Sequence, residues 1–86
     1  MSKYLILYRK KENWVKSLVE KYPAILKTLS PRDEKLVNYL YFQKWTINEV
    51  ASDFGVSRER IFQLHKRALD NLKIREQRIA YFSDQL

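Results

Sequence analysis

The stretch TINEVASDFGVSRERIFQLHKRALDNL, residues 46–72, contains two helix-forming segments joined at Gly55, the one glycine of the chain. Thr46 and Glu49 have the spacing of a capping box, in which each side chain bonds the backbone amide of the other residue. Glycine adopts the left-handed conformation that ends a helix at little cost, and Ser57 offers an N-cap for a second helix. The stretch therefore predicts a helix-turn-helix.

Both predicted helices have an apolar face with steps of three and four residues, which is typical of helices that pack on a core. The apolar residues of the first helix are Ile47, Val50, Ala51 and Phe54, and those of the second are Ile61, Leu64, Ala68 and Leu72. The residues left facing outward at the start of the second helix are Arg58, Glu59, Phe62, Gln63 and Lys66.

This outward set has side chains suited to base recognition. A helix in the major groove contacts base edges mainly with its first two turns, where arginine pairs with guanine and glutamine with adenine. Arg58, Glu59 and Gln63 have this chemistry and this position. The alternative is a helix pair whose charged outer face is simply solvated.

Sequence similarity favours DNA. The segments TINEVA (46–51) and FGVSRERI (54–61), with Gln63 and the pair Ala68 and Leu69, resemble region 4 of the bacterial sigma-70 family. LSPRDEK (29–35) resembles the start of that region, so the resemblance covers roughly residues 23–73. It implies two partners: the promoter −35 element, bound by the second helix, and the flap-tip helix of the RNA polymerase β subunit.

The resemblance also implies residue roles. Arg58, Glu59 and Gln63 match positions that reach base edges or nearby phosphates, and Arg60 and Arg67 are further phosphate candidates. Thr46 and Ile47 match the start of the supporting helix, which touches the DNA backbone, although capping alone would also explain Thr46. The full set of expected DNA-binding residues is Arg58, Glu59, Gln63, Arg60, Phe62, Lys66, Arg67, Thr46 and Ile47.

Two positions depart from the family pattern. Primary sigma factors usually have a basic residue at the position of Phe62, and often an arginine at that of Tyr41. Phe62 could contact a thymine methyl, pack under the tail of the chain, or bind a protein surface. Both departures favour an altered DNA sequence, weaker DNA binding, or a larger role for protein contact.

The residues before the helix-turn-helix predict a turn of helix opened by Pro23 and a longer helix over residues 31–44. Ser30 is its expected N-cap, with Pro31 at the first helical position. Its inward stripe is Leu36, Val37, Leu40 and Tyr41. By resemblance, one or two members of a polymerase-binding set are expected to be exposed; the set is Leu36, Tyr39, Leu40 and Phe42.

We therefore expect an all-α helical bundle containing a helix-turn-helix, in three parts. Residues 1–22 form a basic extension, predicted to be helical over 12–21, with residues 3–9 open between helix and strand. It could stabilise the core or bind a partner. Residues 23–73 form the region 4-like domain. Residues 74–86 form a helical extension or tail, which prolongs the second helix to about residue 78 and then folds back or binds a partner.

The net charge of +7 is typical of a nucleic-acid-binding protein, but its distribution is uneven. Residues 1–29 contain seven basic and two acidic residues, whereas residues 30–72 contain seven and six. Because phosphate neutralisation supplies most non-specific affinity, we expect the region 4-like domain alone to bind DNA only modestly.

Composition excludes several classes. The chain has no cysteine for disulfides or thiolate metal sites, and no apolar run near the ~20 residues of a membrane span. It has no glycine-rich phosphate loop, and its one histidine, His65, is expected at a helix surface. We therefore expect no enzyme activity, no metal and no cofactor, and a cytoplasmic location in a bacterium, with the gene in the host or a phage.

Three functions fit the sequence. The first is a small stand-alone protein resembling sigma region 4, which binds polymerase and promoter DNA but has no counterpart of the region that melts promoters. The second is an independent helix-turn-helix repressor acting as a homodimer, because two half-sites raise affinity. The third is an interaction module that occupies the region 4 site on polymerase, or on another regulator, without binding DNA.

Overall fold

The computed structural model describes the backbone of residues 3–84 and the side chains of residues 11–80. Every regular element in this part of the chain is helical. In order, they are α1 (Lys3–Lys21), a 3-10 helix (Ile25–Thr28), α2 (Pro31–Val37), a π-helix (Asn38–Phe42), α3 (Ile47–Phe54) and α4 (Arg58–Asp84). The prediction of an all-α bundle is confirmed.

Helix α1 covers residues 3–21, so the segment 3–9, left open by the sequence, is helical. Its second half packs on the bundle, where Val15 and Leu18 are buried in the core. Glu12 faces the turn before α3 and pairs with both Lys16 and Lys44. The second half of α1 is thus part of the packed core.

Helix α2 begins as predicted, since the hydroxyl of Ser30 accepts a hydrogen bond from the Asp33 amide and Pro31 opens the helix. The single α-helix expected over residues 31–44 is wrong in its second half. The α-helix ends at Val37 and continues as the π-helix, in which the Gln43 amide donates to the Asn38 carbonyl at 2.9 Å. In a π-helix each hydrogen bond spans five residues instead of the four of an α-helix. The spacing of apolar residues in the sequence does not reveal this change.

The core contains residues from every helix. Its buried apolar members are Val15, Leu18, Ile25, Leu26, Leu29, Leu36, Val37, Leu40, Tyr41, Val50, Ala51, Ile61, Leu64, Ala68 and Leu72. The apolar stripe predicted for α4 is completely buried. In α3, the middle of the predicted stripe is buried, while Ile47 and Phe54 at its ends pack against the core from partly exposed positions.

The expected surface position of His65 is wrong, because only 2% of this side chain is exposed. Its Nε2 lies 2.6 Å from the hydroxyl oxygen of Tyr41, which is itself completely buried. A buried polar group is stable when it is hydrogen-bonded, and the tyrosine of the π-helix supplies that partner. The sequence pattern of α4 alone does not contain this information.

Helix α4 is longer than predicted. It continues without a break to Asp84 instead of folding back after about residue 78, and Ile79 packs against the core. The indole N–H of Trp14 donates to the Glu76 carboxylate at 3.4 Å, which joins α1 to the C-terminal half of α4. Gln85 and Leu86, the rest of the predicted tail, lie outside the described residues.

Candidate nucleic-acid interface

The N-terminus of α3 is fixed by the predicted capping box. The Thr46 amide donates to Glu49 Oε1 at 3.0 Å, and the Glu49 amide donates to the Thr46 hydroxyl oxygen at 3.1 Å. The bond from the Thr46 amide, followed by the Thr46 side chain, lowers the pKa of the Glu49 carboxyl. The cap remains formed at neutral pH because Glu49 is ionised.

The turn between α3 and α4 depends on Gly55, whose φ of 68° is left-handed. This conformation lets the Val56 amide donate to the Ala51 carbonyl at 3.1 Å, which closes the C-terminus of α3. No atom lies within 4 Å of the position that a Cβ on Gly55 would take. Glycine is therefore required here by backbone conformation and not by lack of space.

Helix α4 begins immediately after this turn. Ser57 is its N-cap, since the hydroxyl oxygen of Ser57 accepts a bond from the Arg60 amide at 3.2 Å. From the first turns of α4 a group of polar side chains extends into solvent; its members are Arg58, Glu59, Arg60, Gln63, Lys66 and Arg67. Arg60 Nη1 donates to Gln63 Oε1 at 3.2 Å, which links two members of this group.

The remaining expected DNA-binding residues lie at the start of α3 and in the second turn of α4. Thr46 is exposed at the start of α3, and Ile47 beside it is partly buried. Phe62 is also partly buried, so its ring is neither fully solvated nor part of the core. The structure thus brings all nine residues to the α3 and α4 pair, with the polar ones at its surface.

Charge is concentrated on α4 and α1 rather than on the helices between them. Residues 58–67 contain four basic side chains and one acidic side chain, whereas residues 31–54 contain three basic and four acidic ones. Helix α1 is also basic, but it contacts α4 near Glu76. Glu76 is eighteen residues beyond Arg58, or about 27 Å along the helix axis. The contact between α1 and α4 therefore lies beyond the C-terminal end of the exposed polar group, about 14 Å along the axis after Arg67.

Comparison with known families decides what this arrangement is. The family model described as Sigma-70, region 4 matches residues 25–73, more than half of the chain. The chain belongs to the sigma-70 region 4 family. Region 4 is a DNA-binding helix-turn-helix domain, so the protein has a transcription-related, DNA-binding role, and the family is regulatory rather than enzymatic. No solved structure matches the chain.

The region 4 match begins in the 3-10 helix and ends at Lys73. It includes the whole helix-turn-helix and the first sixteen residues of α4, from Arg58 to Lys73. Helix α1 and the last eleven residues of α4, from Ile74 to Asp84, lie outside it. These two helical segments meet at the Trp14 and Glu76 hydrogen bond.

The four residues expected to bind polymerase differ in exposure. Leu36 and Leu40 are in the core of the region 4 domain, with 0% and 1% of each side chain exposed, so neither offers a surface to a partner. Tyr39 is partly buried, and Phe42 is 41% exposed. Phe42 is thus the exposed member of the four and Tyr39 is partly exposed, while polymerase binding by either stays a prediction.

Tyr39 belongs to a group that the sequence did not indicate. Its ring stacks on that of Trp45, with centroids 3.8 Å apart and planes at 8°, and lies 6.4 Å from the ring of Phe54. Lys35 Nζ lies 5.4 Å from the Tyr39 ring and pairs with Asp53 Oδ2 at 3.1 Å. We call Tyr39, Trp45 and Phe54 the aromatic surface. The turn after the π-helix, where the Trp45 amide donates to the Tyr39 carbonyl at 2.8 Å, creates the stack.

The Asp53 carboxylate, and then Tyr39, raise the pKa of Lys35, which therefore stays charged beside the aromatic surface. Among the side chains of residues 11–80, no group of three or more potential metal ligands is close enough to hold an ion. None of the described helices combines the length and hydropathy needed to cross a membrane.

Proposed function

We propose that this region 4 domain binds promoter DNA resembling a −35 element through the first turns of α4, and binds the β-flap of bacterial RNA polymerase through α2, the π-helix and α3. The observation that carries the DNA part is the exposure of Arg58, Glu59 and Gln63 on the first two turns of a capped helix that α3 supports. Side chains at these positions of a helix-turn-helix reach base edges in the major groove.

Each of these side chains has a preferred base. The Arg58 guanidinium can donate two bonds to guanine, Gln63 can pair with adenine, and Glu59 can accept from cytosine N4. The bond from Arg60 to Gln63 Oε1 favours the orientation of the glutamine amide in which its oxygen faces Arg60. The exposed part of the Phe62 ring is suited to a thymine methyl. Four polar or apolar contacts of this kind would specify a short sequence.

Phosphate contacts would come from the flanks of the same pair of helices. Lys66, Arg67 and Arg60 are exposed on α4, and Thr46 and Ile47 present amides at the N-terminus of α3, where helix dipoles favour anions. Residues 31–54 have no excess of basic side chains. Few phosphates would then be neutralised, and binding to DNA alone would be weak and salt-sensitive.

A second partner offsets this weakness. The aromatic surface, which joins the π-helix to α3, and the exposed Phe42 provide apolar side chains outside α4, with charged Lys35 beside the Tyr39 ring. Aromatic side chains are enriched at protein interfaces because they bury a large area with little loss of conformational freedom. We assign Tyr39 and Phe42 to flap binding, whereas Leu36 and Leu40 support them from the core.

A selection of bound duplexes from a randomised library tests the DNA part. Wild type is expected to enrich one short sequence, and Arg58→Ala and Gln63→Ala are each expected to relax it at one base pair, by about tenfold or more. Arg78→Ala is the matched control, because it removes the same charge from an exposed site of the same helix about 30 Å away. Equal effects of Arg58→Ala and Arg78→Ala would show electrostatic attraction without base recognition.

A pull-down with the isolated β-flap tests the polymerase part. Phe42→Ser and Tyr39→Ala are expected to weaken capture, while Ile74→Ser, which changes an equally exposed apolar residue on α4, is expected to leave it unchanged. Absence of flap binding by wild type, together with tight binding to a two-fold symmetric sequence as a dimer, would replace this function with that of a repressor. Flap binding without any DNA enrichment would indicate an interaction module.

A further inference from the structure

The hydrogen bond between Tyr41 and His65 is more deeply buried than two other hydrogen bonds that join α4 to the rest of the protein. Both of its partners are buried, with 0% and 2% of each side chain exposed. The bonds from Asn71 to Asp33 and from Trp14 to Glu76 are only partly buried and longer, at 3.4 Å each. At 2.6 Å, the Tyr41 and His65 atoms are within the usual range of a short hydrogen bond.

His65 lies close to the residues proposed to recognise bases. It is two residues after Gln63 and seven after Arg58, or about 10 Å from Arg58 along the axis of α4. A helix with its side chains has a radius of about 5–6 Å, so a rotation of roughly 10° moves its surface atoms by about 1 Å. Base-edge hydrogen bonds do not tolerate such a shift, because they form only over about 2.7–3.2 Å.

A buried hydrogen bond constrains this rotation more sharply than apolar contacts do. The buried stripe of α4 consists of aliphatic residues, and the hydrophobic effect has no preferred direction. A hydrogen bond has both a distance and an angle. Burial lowers the pKa of His65 to about 4, so the ring is neutral at physiological pH and its unprotonated nitrogen can accept a hydrogen bond from the Tyr41 hydroxyl.

We propose that Tyr41 and His65 form a positioning pair, which fixes the rotation of α4 and so determines which base edges Arg58 and Gln63 reach. This inference rests on the proposed DNA-binding function. The backbone around Tyr41 supports it, because the π-helix buries Leu40 and Tyr41 while Phe42, next in sequence, is exposed. Short π-helical segments are rare and occur frequently at functional sites.

Tyr41→Phe tests the pair, since it removes the hydroxyl and keeps the ring. In the duplex selection, this variant is expected to keep its helical circular dichroism and to lose about fivefold to tenfold in preference for the wild-type sequence, in line with the loss of one buried hydrogen bond. Tyr22→Phe is the matched control, because it makes the same change at a partly buried tyrosine outside the region 4 match. Its preference is expected to equal that of wild type.

A double variant separates positioning from stability. Replacing both partners, as in Tyr41→Phe with His65→Leu, removes the polar atoms of the pair together and is expected to give a higher melting temperature than Tyr41→Phe alone. If the pair positions α4, the double variant still has the relaxed sequence preference. The inference would be overturned if the double variant recovered both the melting temperature and the sequence preference. An unchanged sequence preference in Tyr41→Phe would also overturn it. Absence of any preference in wild type would instead reject the proposed function.

Discussion

The hydroxyl oxygen of Tyr41 lies 2.6 Å from Nε2 of His65, and this contact joins the π-helix to α4 inside the core. Burial of the His65 ring lowers its pKa from 6.5 to about 4, because desolvation disfavours the charged form. The unfolded chain binds a proton near pH 6.5 and the folded chain only near pH 4. The free energy of unfolding therefore has its full value above pH 6.5 and decreases as the pH falls towards 4.

The first prediction follows from this linkage. Between pH 6.5 and 4, protonation of the unfolded state is expected to lower the free energy of unfolding by about 3 kcal/mol. Urea denaturation at several pH values measures this loss. His65→Gln is the control, because it lacks the titrating group while the carboxylates still titrate. Parallel decreases in wild type and His65→Gln would contradict the prediction.

The second prediction concerns Gly55. Because an added Cβ meets no atom within 4 Å, Gly55→Ala is expected to destabilise the fold only through its left-handed backbone, by about 1–2 kcal/mol. Gly55→Asn is expected to cost less, since asparagine adopts this conformation more readily. Thermal or urea unfolding of both variants measures the difference. Equal losses would show that steric contact, not conformation, limits this position.

The third prediction separates the two roles of Thr46. Thr46→Ala removes the cap and is expected to cost about 1 kcal/mol of stability. Thr46→Asp keeps a strong capping side chain but adds a negative charge at the start of α3. If Thr46 lies near a DNA phosphate, Thr46→Asp is expected to keep wild-type stability and to bind DNA more weakly. Unchanged affinity would leave Thr46 with capping alone.

The fourth prediction concerns the contribution of α1. Leu18 is 3% exposed within the core, so Leu18→Ala is expected to destabilise the protein by about 2–4 kcal/mol. Ser17→Ala is the control, since Ser17 is exposed on the same helix. Loss of stability in Leu18→Ala alone would show that residues before the region 4 match support its core. Similar stabilities would mean that α1 is dispensable.

The fifth prediction distinguishes phosphate contacts from base contacts. Each phosphate contact adds about 0.9 to the slope of log affinity against log salt. Arg67→Ala is therefore expected to lower this slope by about one and to weaken binding to all sequences equally. Arg58→Ala is expected to change sequence preference instead. Fluorescence anisotropy over a range of salt concentrations compares the two, and a sequence-dependent effect of Arg67→Ala would assign it to a base.

Local signals made the helix-turn-helix predictable from sequence. Thr46, Glu49, Gly55 and Ser57 each specify a helix end through contacts with residues a few positions away, and all four act as expected. The buried stripe of α4 was equally predictable, because its period depends on one helix alone. The DNA-contact candidates lie at the surface where that period places them.

The features that the sequence did not predict depend on contacts between distant segments. His65 is buried because Tyr41, twenty-four positions away, satisfies its ring nitrogen. The stack of Tyr39 on Trp45 requires the π-helix and the left-handed turn at Lys44, where φ is 59°. The spacing of apolar residues gives no signal for either feature, since an α-helix over residues 38–42 would also bury Leu40 and Tyr41 on one side.

The unbroken length of α4 has a mechanical consequence. Arg58 and Glu76 lie on one continuous helix. The exposed polar group is at its N-terminal end, and the Trp14 indole of α1 is hydrogen-bonded to it at Glu76. A tilt of roughly 5° applied at Glu76 displaces Arg58 by about 2 Å, given the 1.5 Å rise per residue. Because Ile61, Leu64 and Leu72 are buried between these two points, the core resists such a tilt, and the position of Arg58 depends on packing along the first half of α4.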